Sequence, residues 1–229
     1  MKRIVPIALG SITLLASISA SALPPDKKVV LGLRSGYALP FGDALSAGGS
    51  GIVQFKQDVH MKDLTSGMIP IWVDAGYMVT PEIMVGAYFQ YGFVSIKKRD
   101  TNGTVGCVPT ATCSAHDLRY GVQAQYHFGV AQSLDPWLGL GFGRETVALS
   151  STQNGVESSG SLNGWEYLNL QGGLDIEVTP GFALGPFASF SFGQYSTVST
   201  KLGNVDLDID LPSAWHEWLT LGVKGTLGL

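Results

Sequence analysis

Six charged residues stand where they could pair inside a protein: Arg34, Arg119 and Lys224 against Asp74, Asp175 and Glu177. Each falls on the polar side of an otherwise apolar, alternating segment. Opposite charges facing one another away from water form ion pairs, because an unpaired buried charge is costly. The chemistry expected of them is a mutually neutralising network. Cys107 and Cys113 lie close together in a polar, turn-rich stretch. In an exported chain such a pair forms a local disulfide, whereas a zinc site takes four ligands and only His116 is near. Asp206, Asp208 and Asp210 share one face at strand spacing and could converge on Ca²⁺, although a strand running on beyond a membrane with a solvated face explains them as well. His127 is expected inward, and His60, His116 and His216 in or beside the long connections. No serine–histidine–carboxylate set can be assembled from their spacing. No catalytic residue, metal or cofactor is expected, and a lipid-modifying enzyme ranks last among the functions considered.

The elements that position these residues are strands. From about Val29 the chain alternates with a period of two, which marks strands with unlike faces. The segments run near 29–39, 68–80, 83–97, 117–128, 136–150, 164–178, 182–197 and 214–229. In the second, Ile69, Ile71, Val73, Ala75, Tyr77 and Val79 oppose Trp72, Asp74 and Gly76. In the fourth, Leu118, Tyr120, Val122, Ala124, Tyr126 and Phe128 oppose Arg119, Gln123, Gln125 and His127. The fifth is irregular: Arg144 continues the face of Leu138, Leu140 and Phe142. This predicts either a bulge at that point or an arginine already at a polar rim.

These segments exceed the roughly 5–6 residues usual in globular strands and suit the ~9–11 of a tilted membrane strand. Their second face is charged, amide-bearing or glycine, as a polar interior behind a lipid-facing exterior demands. Connections alternate in length. Short ones carry or precede Pro81, Pro136 and Pro180; long ones are 41–67, 98–116, 151–163 and 199–213. The fold class predicted is all-β: an eight-stranded antiparallel up-and-down transmembrane β-barrel occupying 23–229. A closed sheet satisfies every backbone group in lipid and leaves no edge. Eight strands enclose a lumen just wide enough for side chains to fill. Aromatics toward the strand ends, among them Tyr77, Tyr126, Trp137, Trp165, Trp215 and Trp218, are candidates for interfacial girdles.

Residues 1–22 are expected to be a secretory signal peptide: Lys2 and Arg3, an apolar run to Ile18, then Ala20 and Ala22 at the small-residue positions of the cleavage site. Its removal makes the chain more acidic than its formal −4, so no nucleic-acid partner is suggested.

The alternating strands, the leader and a last strand Trp218–Leu229 that stops at the final residue together resemble the small eight-stranded bacterial outer-membrane barrels of the OmpA/OmpX and OmpW kind. The resemblance implies export to the outer membrane, a lipid environment and recognition of the C-terminal strand by the barrel-assembly machinery, although that family usually ends in Phe or Trp where this chain has Leu229. It carries no functional motif. Two roles follow. One is an envelope protein with a side-chain-filled interior that stiffens the membrane or displays loops to a partner the sequence does not identify. The other is an OmpW-like passage for small apolar solutes, for which inward Trp72, Tyr88 and Phe187 are the hints.

Overall fold

The computed structural model describes residues 27–48, 57–99, 106–130, 132–202 and 205–229, with the side chains of 201–208 and 211 outside that description. The expected leader, with Ala20 and Ala22, lies outside the described residues, and so do the side chains of Asp206 and Asp208. The chain forms β1 (Val29–Leu45), β2 (Val59–His60), α1 (Met61–Leu64), β3 (Thr65–Met78), β4 (Ile83–Ile96), β5 (Thr112–His127), β6 (Leu134–Gln153), β7 (Val156–Thr179), β8 (Phe182–Leu202) and β9 (Val205–Gly228). Each long strand pairs antiparallel with its successor, and β9 pairs with β1 from Val30↔Gly228 to Gly42↔His216. The result is a closed ring of eight strands; β2 adds only a short ladder to the far end of β1.

Alternation sorts side chains as predicted for a membrane barrel. Leu33, Val122 and Leu140 face outward and are 59%, 63% and 56% exposed, while Arg34, Asp74, Arg119, Asp175 and Lys224 are buried inside. Such an inverted distribution is stable only where the outer solvent is hydrocarbon. Arg144 is exposed on the outer face, its guanidinium 4.3 Å from the Trp165 ring centroid. Trp165 stacks on Phe142, and Trp215 on Phe192, in an aromatic patch of the kind found at a membrane interface. The β5–β6 register runs unbroken past Arg144. The bulge lies in the neighbouring strand, where Gly141↔Asn169 is followed by Gly143↔Glu166. Tyr167 and Leu168 both turn outward there.

One end of the barrel carries the tight connections and both described termini. The other end differs from expectation. The stretches 151–163 and 199–213, expected as long loops, are mostly strand. β6 and β7 continue to a two-residue turn at Asn154–Gly155, both with positive φ (51° and 79°). That is the type I′ geometry matching the right-handed twist of a hairpin, which Asn-Gly favours. The wall from β6 to β9 therefore stands taller than the wall from β1 to β5.

Three large inward rings lie across glycines on the adjacent strand: Phe187 across Gly222, Trp137 across Gly173 and Tyr88 across Gly121. A Cβ on Gly222 would fall 2.1 Å from the Ser35 carbonyl oxygen and 2.8 Å from the Phe187 ring. Gly222→Ala should therefore destabilise the barrel by about 1–3 kcal/mol through overpacking. The check is the midpoint of urea unfolding in lipid vesicles; an unchanged or raised midpoint contradicts it.

Candidate functional site

The interior is crossed by two polar layers. In the layer nearer the turn end, Arg34 on β1 donates from Nε to Asp74 at 2.6 Å, from one terminal nitrogen to Gln171 on β7 at 2.7 Å, and from the other to Gln123 on β5 at 3.3 Å. Gln123 in turn donates to the second Asp74 oxygen at 2.8 Å. Lys224 on β9 donates to Asp175 at 3.2 Å and to Gln125 on β5 at 3.4 Å. Asp175 also accepts from Thr226 and the Trp137 indole. Strands β5 and β9 lie four apart round the eight-strand ring, so Lys224 reaches the opposite wall. The Arg34 guanidinium lies 4.7 Å from the Trp72 ring centroid and 5.6 Å from that of Phe187. Two cations meet two carboxylates, and this layer is neutral by count.

The second layer centres on Arg119. Its Nε lies 2.8 Å from Asp117, and its terminal nitrogens donate to Glu145 at 2.9 Å, to Ser191 at 2.7 Å and, more weakly, to Glu166 at 3.5 Å. Tyr195 donates to Glu145 at 2.7 Å, and a ring nitrogen of His216 is 2.8 Å from the same carboxyl. Tyr88 bonds Glu166, which also accepts from Asn169. Three buried carboxylates thus share one guanidinium. Side chains from β4, β5, β6, β7, β8 and β9 interlock across the lumen.

Of the residues singled out from sequence, Arg34 meets Asp74, Lys224 meets Asp175, and Arg119 joins neither pair. Glu177 is not brought in. It is half-buried near the turn end of β7, has no ion pair among the described residues, and its Oε2 lacks a hydrogen-bond partner. It lies two residues beyond Asp175, where the β7–β8 ladder is irregular before the turn, and Lys224 is taken by Asp175. His216, expected beside a loop, is buried inside the barrel. Trp137 and Trp218 also turn inward, away from the girdles. His127 sits at the turn end, 2.7 Å from Asp135, which accepts the Gly129 N–H and so fastens the β5–β6 connection.

Sequence reasoning misses Glu166, Glu145 and Asp117. Glu166 has the outward parity if alternation is counted back from Leu168, and the bulge at Tyr167–Leu168 reverses it. The signal available is a pair of consecutive bulky residues beside a charge.

Above the Arg119 layer the character of the lumen changes. A cavity of about 550 Å³ is lined by Ala44, Met61, Leu64, Val94, Ile96, Ala115, Val147, Leu149 and Leu162, with serines of the tall β6–β7 hairpin at its side. Tyr195 and Trp218 border it and also touch the polar layer below: Tyr195 through Glu145, Trp218 with its ring centroid 5.7 Å from the Arg119 guanidinium. Cys107 and Cys113 form a disulfide and both line the cavity, tying the β4–β5 connection to β5. An apolar chamber thus stands on a polar floor and faces the loop end.

The family model described as outer membrane protein beta-barrel domain matches residues 11–210. Among solved structures, the outer membrane protein OprG from Pseudomonas aeruginosa is similar in fold at 14% identity and a TM-score of 0.51, over 89% of this chain and 98% of that one. A major outer membrane protein from Thermus thermophilus has 13% identity and a TM-score of 0.50, over 87% and 99%. No curated protein matches the sequence.

Proposed function

This chain belongs to the outer membrane protein beta-barrel domain family and resides in the bacterial outer membrane, and from that premise we propose that it is a non-conducting barrel holding a small apolar molecule in an outward-facing chamber. The observation that carries this reading is the apolar cavity above the Arg119 layer. Its volume falls within the ~300–1,000 Å³ typical of small-molecule sites, and among its described lining residues Arg99 alone is charged, in contrast to the ion pairs that fill the barrel below. Short turns and termini belong on the periplasmic side of such barrels, which turns the chamber outward. The rings that an apolar passage would have used are engaged: Trp72 and Phe187 pack around Arg34, and Tyr88 bonds Glu166. This supports binding above a plug rather than transit through it.

Two measurements test the reading. Purified protein in planar bilayers should give no steady ohmic conductance. In lipid nanodiscs, with empty nanodiscs as the blank, it should bind 1-decanol. Ala115→Trp, whose ring would occupy the chamber, should weaken that binding at least about tenfold, equivalent to ~1.4 kcal/mol, without lowering resistance to urea. A steady conductance would remove the plug, and unchanged decanol binding in the variant would remove the chamber as the site.

A further inference from the structure

Resting on the chamber as a binding site, we propose that its occupant is an amphiphile with one apolar tail and a carboxylate head, and that Arg99 receives the head. Among the described residues that line the chamber, Arg99 is the one that carries charge. Its Nε is buried and has no hydrogen-bond partner among the described residues. A second buried donor in the same condition, the Trp218 indole N–H, belongs to a residue on the floor of the same chamber.

Arg99 is held in place by its backbone. Its N–H donates to the Cys107 carbonyl at 2.6 Å, and the Cys107 N–H donates to the Lys97 carbonyl at 3.0 Å. Lys98 and Cys107 form a parallel bridge, and the disulfide carries that segment to Cys113 on β5. The guanidinium is thereby presented by a stapled connection.

The chemistry follows from the mismatch. A purely apolar occupant would press hydrocarbon against a guanidinium and strip its water without compensation, which is costly. A carboxylate replaces that water with a charge-assisted hydrogen bond, about twice as strong as a neutral one. Among the described residues, the lining contributes no carboxylate to compete. Lys97 and Lys98 precede Arg99 and Asp100 follows it, so the segment keeps a net positive charge in an acidic chain, which draws anions. A tail on the Leu64, Val94 and Val147 side leaves the head at Arg99.

The test compares decanoate with 1-decanol on protein in lipid nanodiscs at neutral pH. Wild-type protein should bind decanoate at least about tenfold more tightly, a difference of ~1.4 kcal/mol. Arg99→Gln should abolish that preference while leaving decanol affinity within about twofold, as expected when one charged contact is lost and the apolar contacts stay. Arg99→Lys should retain part of the preference, which separates lost charge from a disturbed loop. Equal binding of the two probes by wild type, or a preference that survives Arg99→Gln, overturns the carboxylate assignment and leaves the chamber reading intact. Binding of neither probe overturns the chamber reading itself.

Discussion

Arg119→Met should unfold the barrel more severely than any other single substitution in the lumen, lowering stability by at least about 5 kcal/mol. Removing one partner of a single buried ion pair costs about 3–5 kcal/mol, and here one guanidinium serves Asp117, Glu145 and Glu166 together. Methionine roughly keeps the volume but leaves three carboxylates in a fully buried site with only tyrosine, amide and histidine partners. It also removes the cation beside the Trp218 ring. The measurement is reversible urea unfolding in lipid vesicles followed by tryptophan fluorescence, with the folded fraction on assembly as a second readout. Adding Glu145→Gln and Glu166→Gln should recover a large part of the loss, because the damage comes from stranded charge rather than from a void. A loss under about 1 kcal/mol, in the range of exposed pairs, would falsify the account of this layer.

The second large effect belongs to the neutral layer. Arg34→Met should cost about 3–5 kcal/mol, since it strands Asp74 and frees the acceptors of Gln171 and Gln123. Here the remedy differs. Two cations and two carboxylates balance, so removing a matched pair keeps the balance. The double variant Arg34→Met, Asp74→Leu should return to within about 2 kcal/mol of wild type, as buried pairs replaced by apolar groups of similar volume often do. The Arg119 layer has no such matched pair to remove. If the double variant is as unstable as Arg34→Met alone, hydrogen bonding to the glutamines rather than charge holds this layer together.

Alternation makes the barrel legible because a two-residue period and lipid on one side leave few other solutions. Arg34, Asp74, Arg119, Asp175 and Lys224 can be placed inside by parity alone. Parity fails wherever the ladder does. Glu166 is hidden by the bulge at Tyr167–Leu168. Glu145 has the right parity, but its inward neighbours Gly139, Gly141 and Gly143 offer no side chain to mark the face, and Arg144 beside it points outward. Asp117 stands at the very start of the segment expected for it, whereas the strand begins at Thr112. Glu177 has the inward parity yet lies past the layer. Alternation specifies a face, not a height, and height decides which charges meet. The tall hairpins are legible in principle: Asn154–Gly155 between alternating residues is a turn signal, obscured by the Ser- and Gly-rich stretch around it. The chamber is not legible, because its wall is assembled from α1 and the loop-end halves of nearly every strand.

The pairing of β1 with β9 has a consequence for the order of assembly. Every other seam of the ring joins strands that are neighbours along the chain, whereas this one joins the two ends and bears the largest closure entropy. Within it, Arg34 stands directly opposite Lys224. Two like charges face to face resist zipping unless Asp74 on β3 and Asp175 on β7 are already in position to receive them. Closing the cylinder and filling it are therefore a single late step: the final seam can lock only after the hairpins that carry its counter-charges have formed.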